Sequence, residues 1–392
     1  MRYREDRRGN QLSQLGYGCM RFTRKGSGID YEKAQQEVLL AIEQGVNYFD
    51  TAYIYPGSEE TLGRILEENH CRDRVNIATK LPQFLIRSAP AIEKTFQEEL
   101  KRLRTDHIDY YLMHMFTDYM EWENLQKLGI EDWIAEKKAS GAIRNIGFSF
   151  HGNTETFLKL LGAYDWDFCQ IQYNYLDEHS QAGRKGLEAA RERGIPVVIM
   201  EPLRGGRLVN LPEKARKVLA ADPSGFSAPE LGLRWLWDQS GVTCVLSGMN
   251  SREMILENCR IASDARPGSL TPEQHGLVQR IRAIILERTK VGCTGCRYCM
   301  PCPRGVDIPG NFRYYNLLFT EERKITAWRE FFQVMAMRKQ PGFASQCVGC
   351  GKCESHCPQH LPIRQHLKEA DRALRPLPIR AVIGIARKFS GR

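Results

Sequence analysis

Short apolar runs rich in β-branched residues recur along the first two-thirds of the chain, and each is followed by a stretch whose apolar positions return every three or four residues. The runs predict strands over residues 15–20, 46–51, 75–80, 107–114, 143–149, 168–174, 195–200 and 243–249. The stretches between them predict helices over 31–44, 91–103, 124–140, 154–163, 182–193 and 228–239. Gly45, Gly141, Gly194 and Gly241 stand just past four of these helices, where a left-handed residue is favoured. The short polar lead before the first run predicts a hairpin. Parallel strands need crossovers, and eight strand–helix units in series bury both faces of the sheet by closing on themselves. The predicted fold class is therefore α/β, a (β/α)8 TIM barrel, with an open doubly wound sheet as the competing topology. Gly16 and Gly18 in LGYGCMR lack a third glycine and a directly following helix, so they make a weak dinucleotide fingerprint.

The pattern changes beyond residue 266. Residues 267–271 are Pro/Gly/Ser punctuation, a helix is predicted over 272–288, and two dense cysteine runs follow. We expect a barrel domain over 1–270, a small, mainly α-helical ferredoxin-type domain over 271–372, and a basic C-terminal tail over 373–392. After Lys368, Arg372, Arg375, Arg380, Arg387, Lys388 and Arg392 face only Glu369 and Asp371, which reads as a solvated or partner-docking tail.

Composition narrows the class. The 392 residues are 42% hydrophobic and 26% charged, as in an ordinary globular protein. A formal charge of +9 with no aromatic-interleaved basic groove gives no support for nucleic-acid binding. No apolar run reaches the roughly 18–20 residues of a membrane span, and the N-terminus MRYREDRRGNQ lacks the apolar core of a secretory signal. The expected location is cytoplasmic. In that reducing setting the 13 cysteines read as metal ligands where they cluster, and not as disulfides. Five are scattered: Cys19, Cys71, Cys169, Cys244 and Cys259. Of these, Cys169 and Cys244 fall in predicted strands and read as small core residues.

The other eight form two runs. Cys293, Cys296, Cys299 and Cys302 are spaced Cys-x2-Cys-x2-Cys-x2-Cys-Pro; Cys347, Cys350, Cys353 and Cys357 are spaced Cys-x2-Cys-x2-Cys-x3-Cys-Pro, the bacterial ferredoxin pattern. Zinc sites separate two Cys pairs by a dozen or more residues, so this packing favours iron–sulfur. Three close thiolates hold three corners of one cubane and the fourth reaches the other cluster. The expected cofactors are thus two [4Fe-4S] clusters, Cys293, Cys296 and Cys299 with Cys357, and Cys347, Cys350 and Cys353 with Cys302. The first run is one residue short before its last cysteine, which leaves the role of Cys302 open. The segment 310–340 between the runs is helical in pattern.

Four residues at predicted strand ends carry candidate chemistry. Reducing a carbonyl by hydride transfer needs a proton donor for the oxygen, and a phenol with a pKa near 10 is a poor one unless it is tuned. Lys80 could lower the pKa of Tyr55, Asp50 could hold the ammonium, and His114 could orient the carbonyl oxygen. All four fall at or just past the carboxyl ends of strands, where barrel enzymes keep their chemistry.

The surrounding motifs resemble a known family. DTAYIY followed by SEETLG, then ATK, the strand-end histidine, GAIRNIGFS, CQIQYN, MEPLRGG and SGMNSREMILEN are similar, in that order over residues 1–262, to the aldo-keto reductases. The barrel joined to two cysteine runs resembles the iron–sulfur branch of that family. The resemblance implies a nicotinamide cofactor, NADP or NAD, extended across the top of the barrel, with Asp50, Tyr55, Lys80 and His114 as the catalytic tetrad. It places Ser149 and Gln170 on the carboxamide, and Leu203, Gly206, Ser247, Asn250, Glu257 and Asn258 in the loops that grip pyrophosphate and adenosine. Gly18, Cys19 and Met20 fall beside the pyrophosphate loop. The chain departs from the family pattern in three places. Met200 stands where an aromatic ring often stacks on the nicotinamide, and Phe150 where an Asn often follows the serine. Gly248 and Met254 occupy the usual places of Lys and Arg for a 2′-phosphate, with Arg252 nearby, so NADP and NAD both stay open.

The expectation is an oxidoreductase acting on a small-molecule carbonyl or alcohol, with clusters that exchange single electrons with a ferredoxin- or flavodoxin-type carrier. Nothing in the sequence announces a flavin, although one would mediate between two-electron and one-electron steps. Two alternatives are a reductase with purely structural clusters, and a redox-responsive binding protein that senses nicotinamide. Substrate selectivity is expected in residues 116–123, FTDYMEWE, and in the C-terminal domain, the aromatics hinting at an apolar or ring-bearing substrate.

Overall fold

The computed structural model describes residues 1–392 except 153, 180, 294, 296, 297, 321–323, 337–340, 358 and 390–392. Two residues singled out above, Cys296, expected as a cluster ligand, and Arg392 of the basic tail, lie outside the described residues. Eight parallel strands close into a barrel: Leu15–Gly18, Tyr48–Asp50, Asn76–Leu81, Ile108–Phe116, Ile143–Phe150, Phe168–Gln172, Val197–Met200 and Val242–Ser247. Closure comes from the eighth strand on the first, with Val245 opposite Leu15 and Ser247 opposite Tyr17, and it excludes the open sheet. The first strand stops at Gly18, two residues short of expectation, because Cys19–Arg21 coils into a 3-10 turn.

Alternation along each strand decides what points inward. Tyr48, Ala78, Tyr110, Leu112, Phe168, Val198, Cys244 and Leu246 make one apolar cluster inside the barrel. Counting by two from these members puts Asp50, Lys80, His114, Gln170 and Met200 on the same inward side, nearer the carboxyl ends. The predicted hairpin is present as Tyr3–Glu5 paired with Gln11–Ser13. It covers the amino-terminal mouth, since Leu12 joins the interior cluster and Asp6 accepts a 2.5 Å hydrogen bond from the Tyr110 hydroxyl.

Two details differ from the sequence pattern. The single helix expected over 124–140 is two, Tyr119–Gln126 and Ile130–Ala139, because Gly129 turns left-handed at φ +77° between them. Gly45, Gly141 and Gly194 do take positive φ, but Gly241 does not. Its lack of a side chain serves packing instead: a Cβ there would stand 3.3 Å from Leu187 Cδ1.

The chain divides into two compact units, Met1–Leu208 with Ser227–His275, and Val209–Phe226 with Gly276–Arg392. Among the described residues the second unit has no strand. Its own core gathers Phe312, Leu318, Phe331, Leu367 and Leu374 from the helices Ile308–Thr320 and Ile363–Leu374 and the π-helical turn Phe331–Ala336. Within the basic stretch that begins at residue 373 lies the helix Leu377–Phe389, whose Ile383 joins this core while Leu377, Val382 and Ile385 stay exposed. No helix among the described residues is long and apolar enough to cross a membrane.

Candidate functional site

Strand register gathers Asp50, Lys80 and His114. Lys80 is 2% exposed, and its ammonium donates to both carboxylate oxygens of Asp50 at 2.7 Å and to the carbonyl of Thr51 at 2.6 Å. All three of its donors are used. Tyr55 comes from the loop between the second strand and the helix Ser58–Glu68, where Gly57 at φ +76° turns the chain back over the barrel end. Its ring centroid lies 5.5 Å from Lys80 Nζ and 6.2 Å, edge-on, from the His114 ring. Phe84 stands on another side of His114, also at 6.2 Å. His114 Nδ1 and Gln170 Oε1 are buried and have no hydrogen-bond partner among the described residues.

Burial sets the electrostatics. It pushes the Asp50 carboxyl up, against the pull of the Lys80 ammonium and Gln170. It also pushes Lys80 down, yet the Asp50 carboxylate more than offsets this, so the ammonium is held above its ordinary value. For Tyr55 the outcome corrects the sequence expectation: Lys80 does pull the phenol down, but burial outweighs it and the phenol lies above its usual value. Burial, then the nearby Lys80 ammonium and His151, drives His114 down to about 3, so its imidazole is neutral near pH 7.

The residues expected around a cofactor fall in three groups. Ser149 stands opposite Gln170 in the sheet; its hydroxyl accepts from the Met115 backbone at 2.7 Å, and Gln170 donates to Asp50 at 3.3 Å. Met200 packs half-buried against the barrel interior. Leu203 and Gly206 belong to a tight turn in which Gly205 and Gly206 take φ of +69° and +94°. Ser247 accepts from Asn258 at 3.1 Å and Glu257 accepts from Ser227 at 2.9 Å, with Asn250 half-buried just before the helix Arg252–Asp264. Gly18 is half-buried and Met20 is exposed, whereas Cys19 is buried and offers its carbonyl to the Ser58 hydroxyl at 3.2 Å.

The sequence reading passed over Arg21. Its side chain runs across Gly248, where a Cβ would meet it at 2.7 Å, and donates to the Gly205 carbonyl at 3.3 Å. It thereby ties the 203–206 turn to the 247–250 loop. Its only signal is a lone cation directly after the first strand's end. The aromatics of 116–123 are a correction in the other direction. Phe116 and Trp122 are fully buried, Trp122 against Trp166 at 4.9 Å, and Tyr119 lies under Lys159 at 3.5 Å, so these rings are occupied by packing.

In the second unit, Cys302 shares the wall of a cavity of about 250 Å³ with Cys347, Cys350 and Cys353; Cys299 also lines it and Cys357 does not. Cys293, Cys299, Cys302, Cys347, Cys353 and Cys357 all pack against the unit's apolar core. Among the described residues no three His, Cys, Asp or Glu side chains form a group that could hold a single metal ion. A cubane asks for something different, thiols around a cage; Cys302, Cys347, Cys350 and Cys353, expected on one cluster, line this cavity together with Cys299, expected on the other.

The aldo/keto reductase family profile matches residues 14–282, more than half of the chain, and the chain belongs to that family. A 4Fe-4S dicluster domain matches residues 292–361. The uncharacterized oxidoreductase YqkF of Bacillus subtilis (strain 168) is 27% identical over 304 residues, 67% of this chain and 90% of that protein. Among solved structures, aldo-keto reductase AKR11C1 from Bacillus halodurans, in its holo form, aligns with a TM-score of 0.59 at 27% identity over 72% of this chain and 96% of that one. An aldo-keto reductase from Klebsiella pneumoniae in complex with NADPH aligns with a TM-score of 0.59 at 21% identity, over 72% and 95%. The chain is an oxidoreductase of aldo-keto reductase type that carries a 4Fe-4S domain.

Proposed function

We propose that the barrel reduces a small-molecule carbonyl, or oxidises the corresponding alcohol, with NADP or NAD, and that the second unit carries two [4Fe-4S] clusters that exchange single electrons with a separate carrier. The observation that carries the reading is the buried Asp50–Lys80 ion pair with Tyr55 and His114 beside it, at the carboxyl ends of neighbouring strands. The unpartnered buried Oε1 of Gln170 suits the amide protons of a carboxamide, with Ser149 next to it. When bound, the reduced nicotinamide supplies a hydride for the carbonyl carbon. Tyr55 gives its proton to the oxygen, completing the alcohol. The Lys80 ammonium, fixed by Asp50, stabilises the phenolate left behind until a proton returns from water. His114, neutral, holds the carbonyl oxygen in line.

The cavity on which Cys302 meets Cys347, Cys350 and Cys353 supports the cluster half. A structural contribution from the clusters has support as well, since Cys293, Cys299, Cys302, Cys347, Cys353 and Cys357 pack against the unit's apolar core. Anaerobic purification with iron and sulfide counted tests the stoichiometry: about eight of each per chain are expected for two cubanes. Tyr55→Phe should cut NADPH-dependent carbonyl reduction by about 100-fold or more; unchanged turnover would remove Tyr55 as the acid. Cluster absorbance that follows added NADPH on the timescale of turnover ties the two chemistries together.

A further inference from the structure

Of the described cysteines in the two runs, Cys350 alone is exposed; the others are half-buried. It sits at the tip of a loop beside Val348, which is 62% exposed, on the rim of the thiol-lined cavity. Among the described residues the charged side chains on that cavity's wall are Arg304, Lys352 and Arg364, all basic, and no carboxylate lines it. The acid Glu354, next in the chain to Cys353, is held by Arg364 at 2.9 and 2.8 Å, so it offsets a single cation. The rim is therefore an exposed thiol and an apolar tip ringed by net positive charge.

We propose that this rim is the docking face for a small acidic one-electron carrier protein of ferredoxin or flavodoxin chemistry. The proposal rests on the reading that the second unit holds clusters, and it names the partner and place of contact. Interprotein electron transfer needs close approach, and Cys350, the exposed thiol on this rim, is where a partner would come nearest to a cluster held here. Each event moves one electron between the carrier and the cluster, one being oxidised as the other is reduced, with no bond made and no proton moved. The few cations suit a brief encounter steered by charge and closed by contact with Val348; small redox encounters of this kind bury little surface. The same cations also offset the charge of a cluster and its thiolates. Salt separates the two roles, because screening weakens docking between two proteins far more than contacts within one.

The test uses the anaerobic, cluster-loaded full chain, with iron and sulfide counted, mixed in a stopped-flow instrument with a dithionite-reduced acidic [2Fe-2S] ferredoxin freed of dithionite. The second-order rate should fall by about tenfold or more between about 20 and 500 mM salt. Lys352→Glu combined with Arg304→Glu should lower the low-salt rate by about tenfold or more, with the high-salt rate unchanged. Lys352→Gln, a milder change at an exposed position, should fall between. A rate indifferent to both salt and charge reversal, or no transfer at any salt to a protein with its full iron, would overturn the docking face while leaving the clusters in place. A native protein without iron and sulfide would instead overturn the functional reading beneath it, and the docking face with it.

Discussion

Two buried charges that satisfy each other, Asp50 and Lys80, hold the reactive end of the barrel together, and removing either strands its partner. Lys80→Met leaves a buried carboxylate without its cation, which should cost about 3–5 kcal/mol of stability. The double change Asp50→Asn with Lys80→Met should recover most of that loss but none of the turnover. Urea unfolding read beside carbonyl reduction checks both, and a single variant as stable as the native protein would show that the pair is not the anchor. His114 adds a pH signature. Burial holds it near 3 when folded, against about 6.5 unfolded, so between those values the unfolded chain binds the extra proton. Stability should therefore rise with pH through that window, and His114→Gln should flatten the rise in acid titrations of unfolding. The positions of these residues were legible because a period of two turns Asp50, Lys80 and His114 to one side once Tyr48, Ala78 and Leu112 are seen to be interior. The direction of the Tyr55 shift was not, since it depends on how much burial opposes Lys80, and burial is not written in spacing.

At the scale of elements, the helix that follows Tyr55 is fixed by a close crossing. Ser58–Glu68 meets the end of Ala89–Leu103 at Gly63, where a Cβ would come within 2.4 to 2.6 Å of backbone atoms of Leu103 and Arg102. Gly63→Ala should force the two helices apart and cost about 1–3 kcal/mol, read as a lower melting temperature. The same helix inserts Glu59, which accepts from Thr79 at 2.5 Å and from Arg102 at 3.2 Å. Burial raises the Glu59 carboxyl from 4.5 to about 7. The unfolded chain releases this proton first as pH rises, so the contribution to stability falls between those values, opposite in sign to that of His114. Glu59→Gln keeps the neutral shape, and it should remove this fall while costing little below pH 6. The SEETLG motif carries the family resemblance but predicts neither the helix Ser58–Glu68 nor its reasons, because a close approach and a buried acid exist only once Leu103 and Thr79 arrive from elsewhere. The fused helix over 124–140 was misread for a related cause. Its apolar spacing runs on across Gly129, and only the left-handed turn at that glycine shows the break.

At the scale of the molecule, the chemistry divides along the same line as the chain. Asp50, Tyr55, Lys80, His114 and the residues expected on the nicotinamide all lie within Met1–Leu208 and Ser227–His275, and the eight clustered cysteines all lie within Gly276–Arg392. The barrel interior is filled by its own aromatic and aliphatic side chains, and the apolar core of the second unit is a separate set against which the thiols pack. Losing iron removes the groups that the thiols would enclose, and therefore loosens the second core first. It takes nothing from the barrel's hydrogen bonds, since the Lys80–Asp50 pair and the Ser247–Asn258 bond involve no thiol. A chelator-stripped chain should thus bind NADPH with an affinity within about threefold of the loaded protein, a difference under 1 kcal/mol, while its near-ultraviolet signal from Phe312, Tyr314 and Tyr315 changes. Fluorescence titration of NADPH before and after chelation measures this directly. Retained affinity would make the barrel a self-sufficient nicotinamide site to which a one-electron unit is joined, and lost affinity would mean that the clusters are needed to form that site.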